Sequence, residues 1–141
     1  MTTTYHIAGY CSVFSDEQMN LDNSIEKQKD AIRELVELKY PGSNFTLFAD
    51  CDCSEDAFQQ REGFQAMYQG LISNEYDILV VKDLSRISSR SNRGCLALED
   101  LRDHGVRIIS IDDNIDYPTV DDWLKIQIQF LVSTIPVVDV S

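Results

Sequence analysis

The side chains of this sequence that could carry out chemistry are hydroxyl, guanidinium and carboxylate groups, arranged in four local patterns. A hydroxyl could act as a nucleophile, and the rigid fork of a guanidinium matches the oxygens of a phosphate. In chain order, the patterns occupy residues 10–28, 50–64, 80–90 and 105–116.

Other kinds of chemistry find little support. The two histidines, His6 and His104, are far apart and have no spaced acidic or thiol partner, which argues against a His-dependent nucleophile or a metal site. Cys51-Asp-Cys53 could hold a soft metal, but without a second pair of thiols it is interpreted as two thiols in a loop. Because no Gly-x-Gly-x-x-Gly or Walker-type motif is present, nucleotide binding through such loops is not expected. The sequence predicts no metal and no cofactor.

The four patterns, in this order, resemble the catalytic domain of the serine recombinases (the resolvase/invertase family), especially its large integrase and transposon branch. The resemblance extends from Tyr10 to about Asp116, and its most specific part is Lys82-Asp-Leu-Ser-Arg86. It implies a transesterification in which a serine attacks a DNA phosphodiester and leaves a 5′-phosphoserine linkage. It also implies that arginines stabilise the phosphoryl charge and that strands are exchanged within a tetramer. The protein would then serve DNA integration or recombination for a mobile element.

The sequence departs from the family pattern at the nucleophile. The family has Tyr-x-Arg-x-Ser at the first strand, followed by three residues and a glutamine. When Tyr10 and Gln18 are placed on that pattern, Ser12 falls on the arginine and Phe14 falls on the serine. Phenylalanine has no nucleophilic atom, and loss of the nucleophile costs serine enzymes about 10⁶-fold in rate. The resemblance therefore predicts a recombinase fold whose site does not cut DNA.

The arginines match the family in part. Arg86 falls on the family's arginine after the third strand, but Ser89 stands where a second arginine is expected and Arg90 follows it. Arg61 matches the arginine that follows the second strand. Because the carboxyl ends of parallel strands open on one edge of a sheet, Arg61 and Arg86, with Arg90, are expected to converge on an anion site near Phe14. The alternative is that they are solvated surface arginines.

Three further predictions concern the site. The alternative to a site that does not cut DNA is an active recombinase that uses Ser15 as a substitute nucleophile, but on a strand Ser15 faces away from its neighbour Phe14 unless a bulge re-aims it. The family pattern places Gln18 among the catalytic residues. The simpler interpretation is that Gln18 is a structural polar residue near the site. A basic cluster is predicted to contact DNA, and the alternative interpretation is that its side chains are simply solvated. The cluster consists of Lys82, Arg86, Arg90 and Arg93.

Strand and helix patterns alternate along the chain, which predicts an α/β domain with a mostly parallel sheet of about four or five strands flanked by helices. The first helix is predicted to start with Asn23 as its N-cap, in a capping box with Glu26. Gly105 is predicted as the C-cap of the third helix. Strands are predicted at 5–13, 44–49, 78–81 and 106–111, and helices at 23–38, 64–72, 94–101 and from about 121 to 135.

Composition limits the remaining possibilities. The chain has 141 residues, 43% of them hydrophobic, which suits one domain with its own core. A formal net charge of -12 argues against tight nucleic-acid binding through overall charge and leaves a local basic patch as the means of contact. Since there is no apolar run of the roughly 20 residues that a membrane span needs, and no signal-peptide pattern, a cytoplasmic protein with reduced thiols and no membrane partner is predicted.

The last predicted helix is apolar on more than one face, more than a domain this small can cover. The catalytic-type domain is assigned to 1–119, and 120–141 to the start of this interface helix in the same domain. With no DNA-reading region after it, the chain is expected to be a piece of a longer protein or a degenerate stand-alone copy. The alternative function is a non-catalytic assembly or regulatory module. The helix predicts a homodimer or tetramer, with the interface residues Trp123, Ile128, Phe130 and Leu131.

Overall fold

A computed structural model describes residues 5–14, 24–53, 62–87, 92–117, 123, 124 and 126, with only the backbone for 14, 51–53, 85 and 92–95. The described strands form a five-stranded sheet in the order β2-β1-β3-β4-β5, in which β1 to β4 are parallel and β5 is antiparallel to β4. The predicted α/β class is confirmed. The elements are β1 (His6–Phe14), α1 (Ile25–Lys39), β2 (Asn44–Cys53), α2 (Glu62–Ile72), β3 (Ile78–Val81), a 3-10 helix (Leu84–Arg86), α3 (Asn92–Asp103), β4 (Arg107–Ser110) and β5 (Ile115–Tyr117).

The sheet is buried on both faces because its central strands are nearly continuous apolar runs, as parallel sheets require. Side chains alternate between the two faces along each strand. One face packs against α1 through the residues Ile7, Cys11, Ile78, Val80 and Ile109 with Ile32 and Val36. The other packs against α2 and α3 through Ala8, Tyr10, Leu79, Val81 and Ile108 with Phe64, Met67, Leu71, Leu98 and Leu101.

The start of α1 differs from the predicted one. Ser24 is the N-cap, and its hydroxyl oxygen accepts a hydrogen bond from the backbone N–H of Lys27 at 3.2 Å. The predicted cap at Asn23 and its capping box with Glu26 are therefore wrong. Counted from Ser24, Glu26 occupies the second helical position, one short of the position from which it could bond back to the cap.

The third helix ends as predicted. Gly105 has a φ of +82°, a left-handed conformation that glycine adopts without strain. Its N–H donates to the Arg102 carbonyl at 2.9 Å, and the N–H of Val106 donates to the Leu101 carbonyl at 3.0 Å. These two bonds satisfy carbonyls at the end of α3 and direct the chain into β4.

Strand β2 is longer than predicted. The sequence placed its end at Ala49, but β2 stays paired with β1 as far as the Phe14–Cys53 pair. Cys51 and Cys53 consequently lie in a strand, and the prediction that they lie in a loop is wrong. The error arose because β-propensity drops after Ala49, whereas the neighbouring strand keeps the pairing intact.

Residues 123, 124 and 126 are helical, at the start of the predicted C-terminal helix, and the rest of that helix lies outside the described residues. Ile126 is buried in the core between the sheet, α2 and α3. Within the described part of the chain, no helix combines the length and the apolar character that crossing a membrane requires.

Candidate active site

The candidate active site is the edge of the sheet where the parallel strands end. β1 brings Ser12 and Phe14 to this edge, and the loop after β3 brings Lys82 to Arg86. The first turn of α1 adds Gln28, whose side chain contacts Ser12. Ligands of such sheets bind beyond the carboxyl ends of the strands. Of the residues that the sequence singled out, the structure brings Ser12 and Arg86 into direct contact.

Ser12, at the position of a family arginine, is fully buried. Its backbone N–H donates to Gln28 Oε1 at 3.0 Å, and its carbonyl accepts from Gln28 Nε2 at 2.8 Å. Its hydroxyl donates to the carbonyl of Arg86 at 2.7 Å. Sequence reasoning included Gln28 in the first pattern but assigned it no role. The available signal was a polar residue on the buried stripe that Gln28 shares with Ile32 and Val36.

Arg86 is buried, with 3% of its surface exposed, so it is not a solvated surface arginine. One terminal nitrogen of its guanidinium donates to the Ser12 carbonyl at 2.8 Å, and its Nε lies 3.3 Å from Asp83 Oδ1. Its backbone N–H donates to the Asp83 carbonyl at 3.2 Å, closing the turn of the 3-10 helix. The arginine therefore links the end of β1 to the loop that follows β3.

Two aspartates after β4 hold the same loop. Asp113 Oδ2 accepts from the N–H of Leu84 at 2.8 Å and from the hydroxyl of Ser110 at 2.7 Å, so it caps the start of the 3-10 helix. Asp112 Oδ2 lies 2.7 Å from Lys82 Nζ. Sequence reasoning counted both aspartates only as negative charge. The signal was their position directly after a parallel strand, at the edge shared with the loop after β3.

Asp50, near the end of β2, organises the opposite side of the edge. Its Oδ1 accepts from the N–H of Gly63 at 2.8 Å, and its Oδ2 accepts from the N–H of Phe64 at 2.8 Å and from the Tyr10 hydroxyl at 2.6 Å. A Cβ on Gly63 would lie 2.7 Å from the Ala49 carbonyl oxygen. The glycine thus allows the start of α2 to approach β2 closely enough for Asp50 to cap it.

The pairing between β1 and β2 is irregular near the end of β1. The pairing passes from Ser12–Asp50 to Phe14–Cys53, so the extra residue of the bulge lies on β2. The bulge that would re-aim Ser15 had to lie on β1, and up to Phe14 the register shows none there. Ser15 itself lies outside the described residues.

Several predicted site residues stay predictions. Arg93 lies at the start of α3, and only the backbone of residues 92–95 is described there. The expected convergence of Arg61, Arg86 and Arg90 on one anion is likewise untested beyond the burial of Arg86. The predicted residues that lie outside the described part of the chain are Ser15, Gln18, Arg61, Ser89, Arg90, Ile128, Phe130 and Leu131.

The predicted interface residue Trp123 packs within its own chain. Its ring makes an edge contact with Tyr117 at a centroid distance of 5.5 Å, and the Arg102 guanidinium carbon lies 4.3 Å above it. Ile126 is buried, whereas Leu124 is 60% exposed. The start of this helix therefore turns one side toward its own domain and another, with Leu124, toward solvent.

Comparison with known proteins agrees with the resolvase-like catalytic fold that this sheet and edge define. The sequence model of the family described as Resolvase, N terminal domain, matches residues 7–135. The chain therefore belongs to the resolvase family, as a serine-recombinase catalytic domain. No curated protein sequence gives a significant match.

Solved structures with the same fold include recombinases of several kinds. The N-terminal catalytic domain of TP901-1 integrase is 22% identical, with a TM-score of 0.72 over 90% of this chain and 92% of that chain. A resolvase family site-specific recombinase from Streptococcus pneumoniae is 22% identical, with a TM-score of 0.67 over 92% of this chain and 86% of that one. A serine recombinase from Sulfolobus solfataricus is 19% identical, with a TM-score of 0.59 over 93% and 82%.

Proposed function

We propose that this chain is the catalytic-type domain of a site-specific recombinase from a mobile element, and that it takes part in DNA integration or recombination without cutting DNA itself. Its family and fold support the recombinase part of this proposal. The observation that carries the deficiency is Phe14, the last residue of β1, at the place where the family pattern has its nucleophilic serine. The expected partners are DNA and further recombinase subunits.

Two nucleophilic groups just before Phe14 are unsuited to replace that serine. The Ser12 hydroxyl is fully buried and already donates to the Arg86 carbonyl. The Cys11 thiol faces the core beneath α1, and burial raises its pKa to about 12, so it stays protonated at neutral pH. A serine must be accessible to the phosphate and to a base, and a cysteine attacks as its thiolate, so neither group is suited to form a covalent link to DNA. Ser15 is the alternative nucleophile.

DNA binding by the chain alone should be weak. Of the predicted basic cluster, Lys82 is paired with Asp112 and Arg86 is turned inward, and the whole chain carries a formal charge of -12. Phosphate contacts need cations that can exchange counterions for DNA. Within the predicted cluster, Arg90 and Arg93 are the remaining positive charges, so a DNA-binding region outside this domain would have to bring it to DNA.

The first prediction is that the purified chain leaves supercoiled plasmid intact. The assay uses a plasmid that carries the DNA flanking the gene, and it follows the nicked and linear forms on a gel. Without a nucleophile at residue 14, the rate should be about 10⁶-fold below that of a competent family member and therefore indistinguishable from the blank. Cutting that disappears in Ser15→Ala would overturn the proposal and assign Ser15 as the nucleophile. Cutting that persists in Ser15→Ala with protein covalently attached to the DNA would also overturn the proposal, whereas cutting without attached protein would indicate a contaminating nuclease.

A second candidate function, an assembly module that pairs through the C-terminal helix, is favoured by Leu124. This side chain is 60% exposed on a helix whose neighbouring residues Trp123 and Ile126 pack on the domain. In the sequence, Leu124 belongs to the apolar run of the predicted interface helix, and a contiguous apolar surface of that kind fits one that a second subunit covers. The two functions are compatible, because a non-cutting domain can still occupy a place in a recombinase assembly.

Self-association should therefore be measurable by sedimentation, and it should strengthen as salt rises, because the formal charge of -12 repels a second copy at low salt. Leu124→Asp should weaken the dimer roughly tenfold to a hundredfold, the equivalent of one lost apolar contact. Leu38→Asp is the matched control, since Leu38 is 80% exposed on α1 and should leave association unchanged. A monomer at both salt concentrations, or equal effects of the two variants, would refute pairing through this helix.

A further inference from the structure

β1 extends further than its neighbour β3, so the end of β1 needs other hydrogen-bond partners. Pairing between the two strands ends at Tyr10 and Val81. Two residues later, Ser12 donates its N–H to Gln28 Oε1 at 3.0 Å and accepts from Gln28 Nε2 at 2.8 Å. The side-chain amide of Gln28 thus supplies the donor and the acceptor that a strand would have provided.

Arg86 completes this junction. Its guanidinium donates to the same Ser12 carbonyl at 2.8 Å, while the Ser12 hydroxyl donates to the Arg86 carbonyl at 2.7 Å. Its Nε lies 3.3 Å from Asp83 Oδ1, and only 3% of the residue is exposed. A buried guanidinium persists only where its charge and its donors are satisfied, and here a carboxylate and a main-chain carbonyl contribute to both.

The identity of residue 12 fits this arrangement. Ser12 is fully buried, and its hydroxyl oxygen is already within hydrogen-bond distance of the Arg86 carbonyl. A longer side chain at residue 12 would have to displace Arg86 or Gln28. The small side chain of Ser12 therefore leaves the space that the buried Arg86 side chain occupies.

We propose that Arg86 is an internal lock that joins the end of β1 to the loop after β3, and that it does not bind phosphate in the folded chain. This role of Arg86 rests on the proposed function, which identifies this edge of the sheet as a recombinase site. It gives a second reason, besides Phe14, why the edge is closed to DNA chemistry. Anion binding by Arg86 is the competing outcome.

Thermal unfolding tests the lock. Arg86→Ala should lower the melting temperature by roughly 10 °C, because it removes one member of a buried, bonded pair. Arg33→Ala is the matched control: the Arg33 side chain is 52% exposed and pairs with Asp30 at 3.8 Å, so the change should stay within about 2 °C. If Arg86→Ala yields no folded protein, Arg86→Lys should give an intermediate loss of roughly 5 °C, since an ammonium cannot span both partners. An Arg86 variant that unfolds like the Arg33 control would refute the lock.

A phosphate titration supplies a readout that stability alone does not move. In the folded wild-type chain, the NMR resonance of the Arg86 Nε–Hε group should not shift when millimolar inorganic phosphate is added, and it should stay protected from exchange with water. A saturable shift would refute the lock and establish Arg86 as an anion ligand. This failure is distinct from failure of the proposed function, which plasmid cutting would reveal whatever Arg86 does.

Discussion

A chain that carries Phe14→Ser should still cut DNA far more slowly than a competent family member. The substitution restores a hydroxyl at the end of β1, but the phosphoryl charge must also be stabilised. Ser12 and Ser89 stand at two positions where the family has arginines. Loss of one transition-state donor costs about 10² to 10³ in rate, so two absent arginines should leave a deficit of roughly 10⁴-fold or more.

The measurement is the cleavage rate of Phe14→Ser on supercoiled plasmid beside Phe14→Ala, which has no hydroxyl and gives the background. We expect a small rise of the serine variant above the alanine variant. A Phe14→Ser chain that cuts as fast as a family member with both arginines would show that the phenylalanine alone accounts for the loss. The roles assigned to residues 12 and 89 would then be wrong.

Removing the carboxylate of Asp50 should destabilise the domain by about 3 kcal/mol, because three hydrogen bonds to a charged acceptor disappear. Two of them cap α2 at Gly63 and Phe64, and the third satisfies the hydroxyl of the fully buried Tyr10. In Asp50→Ala, this hydroxyl would be left without that acceptor in a site that water enters with difficulty. Urea unfolding measures the free energy directly.

Asp30→Ala is the matched control for the Asp50 variant. The Asp30 side chain is 73% exposed and pairs with Arg33 at 3.8 Å, so its loss should change the free energy of unfolding by no more than about 0.5 kcal/mol. Tyr10→Phe should cost about 1 kcal/mol, the value of a single hydrogen bond. If Asp50→Ala unfolds at the same urea concentration as Asp30→Ala, the cap at the start of α2 contributes nothing to stability, and the structural role assigned to Asp50 is wrong.

Much of the fold could be predicted because the sheet strands and helices have strong local signatures. The apolar run at 78–81 coincides with β3, and the stripe of Phe64, Met67 and Leu71 marks the buried face of α2. The errors lie at the ends of elements. β2 continues past Ala49 because β1 beside it supplies hydrogen-bond partners, which no local pattern reveals.

The site was predictable in position but not in its contacts. The order of motifs located the edge and the substitution at Phe14, since these depend only on residue types and spacing. The inward direction of Arg86 depends on the length of β3 relative to β1 and on Gln28 from another element. The pairing of Lys82 with Asp112 likewise joins residues that a helix and a strand separate in the chain. Such long-range contacts arise from the fold and leave little trace in sequence.

The central claim, a recombinase domain that forms no covalent link to DNA, is tested most directly by the mass of the protein after contact with DNA. Wild-type chain and Ser15→Ala are incubated with nicked duplexes drawn from the DNA flanking the gene, in which a break next to the cleavage position lets the short strand leave and traps any phosphoserine. A competent family member on its own nicked site serves as the positive control. Both forms should keep the mass of the free polypeptide. A wild-type species heavier by one strand, absent from Ser15→Ala, would contradict the central claim.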